Sequence, residues 1–142
     1  MGLDNGFVGR SKKHPDVKIT LAYFCKYYTL NDWVMKHGTA FDENNPYEVA
    51  VSKENLEELL RLIEPIAETL QEYTYNQISY YEDNGYPQEI VEKFYEEEFS
   101  PVSTNVTSAG HKLIKLYLNV ICMLEMIEEN GDDFYITFNS SF

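Results

Sequence analysis

Apolar and aromatic residues recur along this chain in two rhythms, and the rhythm assigns the elements. Ile19, Tyr23, Tyr27, Leu30, Trp33 and Val34 fall at spacings of three and four, with Phe24 and Tyr28 widening the stripe. That spacing predicts a helix over about 18–37 that stops at Gly38. Leu56, Leu59, Leu60, Ile63, Ala67 and Leu70 make a second stripe, opened by Ser52 as N-cap with Glu54 in the first turn, and predict a helix over about 53–72. Pro65 lies inside it and removes the bond to the Arg61 carbonyl, so a kink or a split is expected there. Pro87 suits the first turn of a third helix, about 87–98, carrying Ile90, Val91 and Phe94 inward. The cleanest period, Leu113, Leu116, Tyr117, Val120, Ile121, Leu124 and Ile127, predicts a helix over about 108–129 that ends at Asn130-Gly131.

Three short segments read instead as strands. Phe7-Val8 sits between glycines within about 5–10, Tyr47 to Val51 alternates (about 47–51), and Phe134-Tyr135-Ile136-Thr137-Phe138 is rich in strand formers (about 134–138). The expected architecture is therefore α+β: three to four helices packed with a small sheet, in one domain spanning 1–142. No internal repeat or low-complexity linker divides it.

Charge changes this picture by region. The net charge is −13, but residues 1–41 hold six basic groups against three acidic ones, residues 42–98 hold sixteen acids against three bases, and residues 99–142 hold five acids against two. A surface this acidic repels phosphate backbones and attracts basic protein surfaces. Direct nucleic-acid binding is thus disfavoured, and a partner with a basic surface is favoured. No run approaches the ~18 apolar residues a membrane-spanning helix needs, and the opening Met1-Gly2-Leu3-Asp4 has no basic-then-apolar leader, so a cytoplasmic protein without membrane contact is expected.

Candidate chemistry is sparse. Cys25 and Cys122, 97 positions apart, form neither a chelating Cys-x-x-Cys nor a dense disulfide framework, and His14, His37 and His111 lie in no nucleophile-base motif. Glu57-Glu58 and Glu96-Glu97-Glu98 are neighbours on a helix, and neighbouring acids there point in different directions rather than flanking one bond. Asp42-Glu43-Asn44-Asn45 lacks the glycine and register of a calcium loop, and there is no Gly-rich phosphate loop. No catalytic residue, metal site or cofactor is assigned. What remains is tyrosine on an acidic background. Tyr75, Tyr80, Tyr81 and Tyr86 beside Glu92, Glu96, Glu97 and Glu98 form a candidate partner-binding face, because tyrosine offers contact area with little rotamer entropy to lose. An alternative is a nucleotide pocket in which Arg10, Lys12, Lys13 and Lys26 meet Tyr23, Tyr27 and Trp33, combining cationic contacts with stacking.

The opening Met1-Gly2-Leu3-Asp4, then Tyr23-Phe24-Cys25-Lys26, Leu30-Asn31 and Trp33, then Val51 to Leu60, and an aromatic final strand together resemble a family of small bacteriophage and prophage proteins. That family carries Tyr-Trp-Arg-Lys and an aliphatic-His pair where this chain has Phe24, Cys25 and Asn31. The resemblance implies a viral setting and no particular chemistry. With the charge pattern, it leads to the expectation of a phage-type accessory protein in the cytoplasm of a bacterial host. Such a protein would inhibit a nucleic-acid-binding host protein by imitating its ligand, or, in the alternative, would sequester or process a nucleotide signal.

Overall fold

The computed structural model describes residues 3–84 and 106–141, with side chains described over 3–68 and 112–141. In chain order the elements are β1 (Asp4–Ser11), β2 (Lys18–Cys25), α1 (Tyr28–His37), β3 (Thr39–Asp42), β4 (Asn45–Val51), α2 (Lys53–Asn84), α3 (Val106–Asn130), a 3-10 turn (Gly131–Asp133) and β5 (Phe134–Ser141). The strands form one antiparallel sheet in the order β2-β1-β5-β4-β3. The α+β class is as expected, with three helices among the described residues. The helix anticipated at 87–98 lies outside them.

The helix anticipated over 18–37 is corrected in its first half, which is strand β2. Ile19 and Tyr23, two members of the supposed helical stripe, are 56% and 49% exposed, whereas Ala22 and Phe24 are buried. Burial with a period of two at Ala22 and Phe24 is the mark of a strand with one covered face. The strand is also irregular: Phe7 pairs with Ala22 and Val8 with Thr20, so Leu21 is an extra residue that moves the side-chain alternation by one. The edge strand β3, four exposed residues paired with β4, was also not anticipated from the sequence. Helix α1 keeps the second half of the stripe, burying Leu30, Trp33 and Val34, and ends at Gly38. A Cβ at Gly38 would lie 2.6 Å from Val49 Cγ2, so it is close approach to β4 that demands glycine here.

Helix α2 starts on a reciprocal cap: Asn55 N donates to Ser52 Oγ at 3.1 Å and Ser52 N donates to Asn55 Oδ1 at 3.0 Å. It then runs through Pro65 without splitting. Both Pro65 and Arg61 lie on the exposed side of the helix, where water can satisfy the Arg61 carbonyl. Helix α3 packs along α2 and onto β2 and β5, while α1 packs on β4. Gly131, at φ 66, ends α3 in the left-handed conformation that glycine adopts without strain.

The register divides the sheet into two faces. Phe7, Ala22, Phe138 and Val49 are cross-strand neighbours, as are Val51 and Ile136, and these residues join Leu30, Trp33, Leu56, Leu59, Ile63, Leu113, Leu116 and Val120 in one core beneath the helices. The opposite face carries Val8, Arg10, Glu48, Ala50, Tyr135 and Thr137. Among the described residues no helix is long and apolar enough to cross a membrane.

Candidate functional site

The register of the β1-β2 hairpin decides the fate of the basic and aromatic residues singled out in the sequence. Asp4 pairs with Cys25 at one end and Arg10 with Lys18 at the other, ends that lie about 20 Å apart at ~3.3 Å per residue. Lys12 and Lys13 therefore sit at one end and Lys26 and Tyr27 at the other, while Trp33 lies on α1, which packs on β4. Tyr27 is fully buried, and the loss of water around it pushes its hydroxyl pKa upward. Trp33 is buried and stacks on the His37 ring at 4.2 Å. Of the seven residues, Lys12, Lys13, Tyr23 and Lys26 are exposed, and the hairpin does not bring them together.

Arg10 is committed elsewhere. It reaches from β1 across β5, donating from Nε to Thr137 Oγ1 at 3.0 Å and from Nη2 to Glu48 Oε1 at 2.5 Å. Its guanidinium lies 4.8 Å from the Phe41 ring centroid, and Asn45 Nδ2 donates to the second Glu48 oxygen at 3.4 Å. Both charged side chains are buried, so the pair is held by hydrogen bonds and a ring face as well as by Coulomb attraction. Glu48 gives no sign of this role in the sequence, where it reads as the outward position of an alternating strand.

At the Lys12 end, Asp133 gathers the loop. Ser11 Oγ donates to Asp133 Oδ2 at 2.6 Å, and the Lys13 amide donates to Oδ1 at 2.8 Å. The Ser11 hydroxyl first, and then the Lys13 amide, hold the Asp133 carboxyl below its ordinary pKa. Lys12, Lys13, Asn130, Asp132 and Asp133 line a shallow groove of about 450 Å³ whose charges are of mixed sign. At the other end, β2 is a sheet edge, and α3 covers part of it. Lys112 Nζ donates to the Cys25 carbonyl at 2.8 Å and Lys115 Nζ to the Tyr23 carbonyl at 2.5 Å, with Lys115 also over the Phe24 ring. The Tyr23 hydroxyl meets the Cys25 thiol at 3.5 Å and Asp4, and these contacts, Cys25 foremost, raise its pKa.

The outer face of α2 is a charged surface. Glu54, Glu57, Glu58 and Glu68 are exposed and Glu64 is half-buried, opposite the buried Leu56, Leu59 and Ile63. Lys53 and Arg61 bridge Glu57 and Glu58 at 3.9 Å and 2.7 Å, both pairs being well exposed. Burial, with Glu64 and Glu68 alongside, raises the pKa of Tyr117 on α3. In the sequence Glu54 reads as a first-turn acid and Glu57-Glu58 as neighbouring acids on a helix, and neither reading puts them on one face with Glu64 and Glu68. Tyr75, Tyr80 and Tyr81 belong to the distal part of α2, but their side chains lie outside the described residues, as do Tyr86, Glu92, Glu96, Glu97 and Glu98 entirely. Among the described residues no group of three or more His, Cys, Asp or Glu is placed to hold a metal ion. No protein-family model, curated protein or solved structure matches the chain.

Proposed function

We propose that this protein acts by binding a partner protein through its acidic surface, the partner presenting a basic groove of the kind that ordinarily holds nucleic acid. The observation that carries the reading is the outer face of α2. Glu54 to Glu68 place five carboxylates along about 21 Å of helix at ~1.5 Å per residue. That is a mean spacing of about 5 Å, within a factor of two of the roughly 3.4 Å per charge along one strand of duplex DNA. Lys53 and Arg61 offset part of this field. In its specific form the proposal is a phage-type inhibitor of a host nuclease or regulator, the setting that the sequence resemblance suggests.

The test is kinetic. A protein captured from bacterial lysate on the wild-type chain is purified, and its association rate is measured at low and high salt. The same is done for Glu54→Lys/Glu57→Lys/Glu68→Lys and for Glu92→Lys/Glu96→Lys/Glu97→Lys/Glu98→Lys, with duplex DNA as competitor. Rim charges act chiefly on the association rate and are screened within about 8 Å at physiological ionic strength. The expected result is an on-rate that falls with salt and with at least one set of reversals, and a complex that DNA displaces. Binding indifferent to salt, to both sets and to DNA would remove the basis for the proposal.

A further inference from the structure

The buried polar residues on the helix-facing side of the sheet lie at one corner. Asn5 and Ser140 face each other across β1 and β5 and are 2% and 6% exposed, and Asn31 in the first turn of α1 is 7% exposed. Asn5 Nδ2 donates to the Tyr27 carbonyl at 3.2 Å, and the Asn31 amide donates to the same oxygen at 3.0 Å, so the two asparagines meet at one backbone atom. Three polar atoms at this corner have no hydrogen-bonding partner in the protein: Asn5 Oδ1, Asn31 Oδ1 and Ser140 Oγ. Turning the Asn5 amide over gives no relief, because it would set its oxygen against the Tyr27 carbonyl oxygen, one acceptor on another. Native interiors rarely leave buried polar atoms unpaired, and three in one place call for a common partner.

The partner's chemistry follows from the atoms. Two are amide oxygens, which only accept, and the third is a hydroxyl, which can donate. We propose that Asn5, Asn31 and Ser140 bind one internal water molecule. The water gives its two hydrogens to Asn5 Oδ1 and Asn31 Oδ1 and accepts the hydrogen of Ser140 Oγ. Three bonds are the usual complement of a buried water. The site joins β1, β5 and α1 beside Lys26, which takes the left-handed conformation at φ 57, and at a helix start that has no side-chain cap. The water holds the first turn of α1 to the sheet where a capping side chain would otherwise do so.

Nuclear magnetic resonance on the isotope-labelled full chain tests this. The side-chain amide protons of Asn5 and Asn31 should show cross-relaxation with water of opposite sign in the laboratory and rotating frames, the signature of a water held far longer than surface hydration. Asn31→Leu should abolish the signal at Asn5. Ser140→Ala, a smaller change in case the first variant folds poorly, should weaken it at both asparagines. Absence of the signal in the wild type, or its persistence unchanged in both variants, overturns the site. So does a shift of these amides on titration with NaCl or KCl but not choline chloride, which would put a cation there instead.

Discussion

Removing the carboxylate of Glu48 should be among the most damaging single changes this fold can suffer. Its partner Arg10 has a side chain only 7% exposed, and Glu48→Ala would leave the guanidinium with the Thr137 hydroxyl and the Phe41 ring but no countercharge. Breaking a buried ion pair from one side costs about 3–5 kcal/mol, because the surviving charge can neither pair nor reach water. For a chain of this length that corresponds to a fall in Tm of about 10–15 °C. The logic also makes an opposite prediction: Arg10→Met with Glu48→Leu removes both charges, and should lie within about 1 kcal/mol of the wild type or exceed it. Urea unfolding of the wild type, Arg10→Met, Glu48→Leu and Arg10→Met/Glu48→Leu, followed by circular dichroism at neutral pH with Glu48→Ala alongside, closes a double-mutant cycle on the pair. If Glu48→Ala costs under about 1 kcal/mol, or if the two effects simply add, the pair is not buried and coupled as described.

Three further outcomes follow from local geometry. Gly6→Ala would put a Cβ 2.5 Å from the Ala22 carbonyl oxygen on the neighbouring strand, where backbone must move; a loss of about 1–3 kcal/mol is expected by urea unfolding. Lys112→Ala with Lys115→Ala frees the Cys25 and Tyr23 carbonyls on the β2 edge, so sedimentation should show self-association that grows with concentration and is absent in the wild type. Asp133 has a folded pKa below its unfolded value. Its stabilisation is therefore present above the unfolded value, near pH 4, and lost as pH falls through the folded one. Asp133→Asn should flatten the acid limb of stability measured by urea unfolding between pH 5 and pH 2, and leave the neutral-to-alkaline limb unchanged.

The long helices were legible because each carries many turns of one apolar stripe. Ser52 could be read as a cap because it stands between the strand and the apolar stripe with Glu54 in the first turn, a wholly local pattern. β2 was not legible: Leu30, Trp33 and Val34 are truly helical, and Ile19, Tyr23 and Tyr27 continue their three-and-four spacing by accident. β3 is too short and too exposed to leave a periodic trace. The polar interior was hidden for another reason. Arg10, Thr137 and Glu48 come together only through the strand order, as do Asn5 and Ser140, and nothing local in the sequence distinguishes a buried arginine from a solvated one. The acidic character was plain from composition, but composition alone does not say which acids share a surface.

The middle strand of the sheet is the last one in the sequence, and this has a consequence during synthesis on the ribosome. β5 separates β1 from β4, and Phe134 follows Val51 by 83 positions. At about 5–20 residues per second, β5 is made about 4–17 s after β4. Until then the nascent chain can form the β1-β2 and β3-β4 hairpins but has nothing to join them. The inner edges of β1 and β4, with Phe7 and Val49 beside them, stay open to whatever extended or apolar chain is near, so this is the interval in which a chaperone would find its hold.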